Sequence, residues 1–199
     1  HSLAAADKFS IVNKNRLDQP TGGHRDVRYH RGGNCTGEGQ VLLSGSGKSV
    51  IGRGQNSIND VLNVSENQEI TTTEDSVAEY QHSAIQAGLI NHGTITADTG
   101  GMTLYQNAKT NLGVFRAING GTLRLQSPVD NANGILHASE GSTLHLESSI
   151  TGGVVNGPGR ILINSNAQLN GPVTLASDLT TAFERGVTDL TGTLVNNGQ

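Results

Sequence analysis

The 199-residue sequence predicts an all-β chain wound as a right-handed parallel β-helix with coils of about twenty residues. Three observations carry that prediction. A short sentence recurs: GGTLRLQS at 120–127 returns as GSTLHLES at 141–148, and a looser GGMTLYQN stands at 100–107. Within each copy, apolar and polar residues alternate with period two. Between copies stand Asn-Gly pairs, which turn a chain sharply because both residues accept positive φ at low cost.

Composition agrees. The chain has 27 glycines, 3% aromatics and only 15% charged residues, which taken alone would suit a disordered polymer. Disordered chains combine low hydrophobicity with high net charge, however, and here the net charge is −4. Evenly spaced Leu, Ile and Val between Gly/Asn clusters therefore read as many short strands joined by tight turns. The glycines would interrupt any helix.

The N-terminal stretch as far as Arg31 is basic. Lys8, Lys14, Arg16, Arg25, Arg28 and Arg31 outweigh Asp7, Asp18 and Asp26 by three charges, which leaves about −7 for the rest. This head reads as a solvated terminus rather than a nucleic-acid site. Cys35 is the only cysteine, so an intrachain disulfide is excluded. No apolar run approaches membrane-spanning length.

Early strands are expected at Val41–Ser44, Ser49–Gly52 and Val61–Val64. The clear blocks follow: GTITADTGGMTLYQ (93–106), GVFRAINGGTLRLQ (113–126) and GILHASEGSTLHLE (134–147). Gly93, Gly113 and Gly134 open them, and Ala97, Ala117 and Ala138 keep the same spacings. Leu104, Leu123 and Leu144 are aligned next. Alternation turns Ile95, Ala97, Leu104, Phe115, Ala117, Leu123, Leu125, Leu136, Ala138, Leu144 and Leu146 inward. Corners are expected at Asn119-Gly120, Asn133-Gly134, Asn156-Gly157, Asn170-Gly171 and Asn197-Gly198. Later strands are expected at Arg160–Ile163, Pro172–Leu175 and Gly192–Val195, giving about eight coils over 42–199. Thr193–Gly198 repeats the pattern of Gly88–Gly93, so the chain is expected to be cut from a longer repeat protein.

The string VLLSGSGKSVIGRGQNSIND, then GLINHGTITADTGG, then the GGTLRL-type endings, resembles the strand repeats of large secreted bacterial proteins. These are the autotransporter passengers and filamentous-haemagglutinin-like adhesins. The resemblance covers residues 40–199 and leaves 1–39 as an N-terminal extension or cap. It implies a structural or adhesive role at the cell surface or outside the cell, with an extracellular glycan or protein as partner.

Motifs for chemistry are sparse. Gly45-Ser46-Gly47-Lys48-Ser49 mimics the end of a phosphate loop, but Leu42 stands where the pattern needs glycine. The calcium nonapeptide, metal-ligand histidine pairs (His24 and His30 lie six apart) and the Gly-x-Ser-x-Gly elbow are all absent. Glu74-Asp75 point to opposite faces of a strand, and no aligned acid pair suits glycoside cleavage. The sequence therefore predicts no enzyme, cofactor or metal. The alternative is a fragment of a carbohydrate-active β-helix enzyme, a polysaccharide lyase or glycosidase. Two outward columns remain as candidate ligand contacts: Thr96, Arg116 and His137, and Tyr105, Arg124 and His145. Stacked cations beside an aromatic suit an anionic glycan.

Overall fold

The computed structural model describes residues 11–12, 25–29, 33–35, 39–43, 49–53, 61–72, 83–164, 166–178, 180–183 and 189–197. Every regular element among them is a strand, and strands of successive coils pair in parallel. No helix is long and apolar enough to cross a membrane. The chain is a parallel β-solenoid, as the repeat requires.

Each coil has three faces. In one coil these are Thr94–Asp98, Gly101–Leu104 and Lys109–Asn111; in the next, Val114–Ile118, Thr122–Leu125 and Val129–Asp130. The second face forms an eight-stranded sheet by itself. The first and third faces join in a fifteen-stranded sheet, because Ser149–Asn156 and Gln168–Leu175 run through the corner between them. A bulge between Thr151 and Gly153 makes that bend possible. Short strands at Ile11–Val12, Arg25–Tyr29 and Gly33–Cys35 continue the three faces on the N-terminal side. The motifs at 45–48 and 74–75, together with His24 and His30, lie outside the described residues.

All eleven residues expected inside are buried without measurable exposure. A parallel sheet places like residues on like: Ile95 on Phe115 on Leu136 on Val155, and Ala97 on Ala117 on Ala138. The core is therefore a set of columns, and each coil closes its neighbour's apolar face.

Three expectations need correction. Leu104 pairs with Leu125, not Leu123, whose partner is Met102. The corner Thr99-Gly100 is one residue shorter than Asn119-Gly120-Gly121, so paired positions stand one residue further apart in sequence beyond the corner than before it. Two residues of slip keep the face and change the partner. Second, regular coils of about 21 residues account for about five turns, not eight. The N-terminal turns are longer: Val41 pairs with Ile70 and Ile70 with Ile95, so each spends more chain than the regular coil from Ile95 to Phe115. Third, Asn119-Gly120 is a left-handed corner, with φ of 54° and 84°, but Gly134 is not at positive φ. It is glycine for lack of room: a Cβ there would stand 2.4 Å from Asn111 O and 2.5 Å from Asn111 Nδ2.

Candidate functional site

The two candidate columns lie on different sheets. Thr96, Arg116 and His137 do stack on the first face, and Asn156 continues them. The column is closed rather than open. Arg116 Nε donates to Thr96 Oγ1 at 2.9 Å, and its Nη2 donates to Glu69 Oε1 at 2.8 Å. Thr96 also donates to Glu69 and is buried without exposure. Burial alone would raise the Glu69 carboxyl. The hydrogen bonds from Thr96, Arg116 and Gln40, with the guanidinium charge, outweigh it and hold the group below its ordinary value. His137 is bracketed by Asn156 Oδ1 at 2.8 Å and Ser139 Oγ at 3.2 Å.

On the second face Arg124 stacks between Thr103 and His145; Tyr105 is not in this column. Because Leu104 pairs with Leu125, Tyr105 falls in line with Gln126 and Glu147, and its phenol is bonded to Gln86. Arg124 Nε donates to Glu147 Oε1 at 2.7 Å, His145 Nδ1 lies 3.3 Å from the same oxygen, and Gln126 Nε2 donates to Oε2 at 2.9 Å. Burial pulls the Glu147 carboxyl upward, but these donors and the nearby His145 and Arg124 charges hold it below the ordinary value. Both arginines thus spend their charge within the chain.

Two polar arrangements escaped the sequence reading. One is an internal ladder at the corner between the third and first faces. Asn91 Nδ2 donates to Asn111 Oδ1 at 2.9 Å, and Asn111 Nδ2 to Asn131 Oδ1 at 2.8 Å. Each amide also reaches a corner carbonyl, Gly93 O, Ile135 O or Gly134 O. All three asparagines are buried. Their spacing of twenty residues, just ahead of Gly93, Gly113 and Gly134, is the signal that marks them. The rung below Asn91 is Val64, so Asn91 Oδ1 has no partner.

The other is Lys109, which is 1% exposed and faces inward between Leu89 and Val129. Its Nζ donates to Tyr105 O at 3.1 Å and to Asn107 O. Burial pushes its titration down to about 7.

Among the described residues no three metal-ligating side chains come together. The acids drawn into the outward clusters, Glu69 and Glu147, sit on separate sheets, each held by an arginine.

A third outward column carries no charge from Thr94 onward. Thr94, Val114, Ile135, Val154, Thr174 and Val195 stack in register on the first face. Ile135, Val154 and Val195 are 37%, 36% and 41% exposed.

Comparison with known proteins adds no identity: no family profile matches the chain, and no curated protein or solved structure shows significant similarity to it.

Proposed function

We propose that the chain is a structural, surface-presenting segment of an extracellular β-solenoid protein, of the kind its strand repeats resemble in autotransporter passengers and haemagglutinin-like adhesins. It works by contact rather than catalysis, and its partner is a protein rather than an acidic glycan. One observation carries the choice of partner. Arg116 and Arg124 are bound to Glu69 and Glu147, while the column from Thr94 to Val195 is outward, uncharged and β-branched at all six positions. An anionic sugar would have to displace carboxylates already held at 2.7–2.8 Å. An apolar surface on a partner loses only water at the column.

The test offers the immobilised chain heparin, as a polyanionic glycan, and a panel of extracellular matrix proteins. Ile135→Lys should abolish matrix-protein binding without unfolding the chain, since the side chain points outward. Arg116→Ala with Arg124→Ala should not change the heparin signal. Heparin binding that disappears in the double variant overturns the choice of surface. Release of new reducing ends from a polysaccharide panel overturns the non-catalytic reading.

A further inference from the structure

The corner from Tyr105 to Lys109 departs from the repeat in three ways at once. Four residues separate Leu104 from Lys109, whereas three separate Leu125 from Val129 one coil on, and three separate Ile85 from Leu89 one coil back. The extra length goes with Gln106, a non-glycine residue at φ 68°. At the end of this corner a lysine enters a column otherwise made of Leu62, Leu89, Val129, Ile150 and Leu169. The longer turn brings the Tyr105 and Asn107 carbonyls onto the amine.

Two carbonyls suit one protonation state. A neutral amine has two N–H groups and both are received; an ammonium has a third. Among the described residues the nitrogen makes no third hydrogen bond and no ion pair, and burial alone shifts its titration. The adjoining Gly88–Asn91 and Gly101–Leu104 strands carry no ionisable side chain. His92, beyond the first of these, is exposed. On the Val129–Asp130 strand, Asp130 is exposed and accepts from the Ala132 amide. Arg124 is bound to Glu147 on the outer surface, and the Tyr105 phenol is bonded to Gln86. Among the described residues, Lys109 is the one ionisable side chain that is fully buried.

We infer that the Tyr105–Lys109 corner is a proton-coupled latch, closed over a neutral Lys109 amine and opened when that amine takes up a proton from solvent and demands water. The closed form titrates near 7 and an exposed lysine near 10.5, so opening binds one proton between those values. Opening also frees Tyr105 and its contact with Gln86, so the outer surface of the second face changes with acidity. This device is independent of the contact surface proposed above, which lies on the first face.

Amide hydrogen exchange at Asn107 and at position 109, read by NMR in the whole chain and in Lys109→Met, tests the latch. Dividing one by the other removes the intrinsic pH dependence of exchange. Between pH 7.5 and 9.5 the ratio should fall about ten-fold per pH unit, and it should level off below 7. A ratio that does not change with pH overturns the inference. Because the variant alters the corner itself, the Lys109 side-chain Cε resonance is also titrated in the unaltered protein. A midpoint near 7 supports the latch, and one near 10.5 overturns it.

Discussion

The Asn91–Asn111–Asn131 ladder and the Lys109 corner both place polar groups inside an otherwise aliphatic solenoid, and they solve the problem differently. The asparagines repeat in register, so Asn91 and Asn111 each donate to the asparagine one coil on, at 2.9 and 2.8 Å. Lys109 occurs once, between Leu89 and Val129, so its own turn must supply the acceptors. The lesson is that a stacked fold accommodates a buried polar group cheaply when every coil brings a copy. A solitary one needs a local change in the chain, here an extra residue and a left-handed Gln106. The ladder shows the same rule at its end, where Val64 stands below Asn91 and Oδ1 is orphaned.

The largest expected effect breaks the solitary member. Lys109 has a folded titration near 7, below its ordinary 10.5. Between these values the unfolded chain binds the extra proton, so stability rises with pH across that window, and the full cost of burial is felt below 7. Relative to Lys109→Met, the parent should gain about 3–4 kcal/mol between pH 7 and 10, measured by denaturant unfolding at each pH. Equal curves for the two proteins would mean the amine is hydrated.

Next comes the ladder. Asn111→Leu strips acceptors or donors from both neighbours and should cost about 3 kcal/mol. Asn91→Leu removes one rung contact and also an orphan, so it should cost about 1 kcal/mol. Thermal or denaturant melts rank them, and a larger loss at Asn91 would reverse the comparison.

The smallest effect sharpens it from outside. Glu147 is satisfied by Arg124 and Gln126 at the surface, where water competes. Its folded pKa is depressed, so its contribution is present above the unfolded value of 4.5 and is lost as pH falls through the folded one. Glu147→Gln should therefore cost about 1 kcal/mol at pH 7, with the gap closing on acidification.

Much of this architecture was legible in the residues. Alternation placed Leu123, Leu125, Leu144 and Leu146 inside, because a side-chain period of two leaves only one face to bury. Register was harder: the aligned leucines suggest a spacing of 19 from Leu104 to Leu123, whereas the strands pair at 20 before the corner and, with the residue gained at Asn119-Gly120-Gly121, at 21 beyond it, which puts Leu104 on Leu125 and takes Tyr105 away from Arg124. The arginines were seen but their partners were not. Glu69 lies 47 residues before Arg116, and the strand Thr94–Asp98 stands between their two strands, so the pair meets across two turns. Lys109 looks like any strand lysine until Leu89 and Val129, twenty residues to either side, are aligned with it.

The central claim, that coils stack in register and share their polar groups, is tested most directly by additivity in the ladder. Asn91→Leu, Asn111→Leu and Asn131→Leu are made singly and together, and each protein is unfolded in denaturant. Each single change leaves a buried partner unpaired, whereas the triple change leaves none on the asparagines, so the three separate losses should exceed the triple loss by about 2–4 kcal/mol. Losses that simply add would mean the three amides do not touch, and would contradict the stacking of these coils.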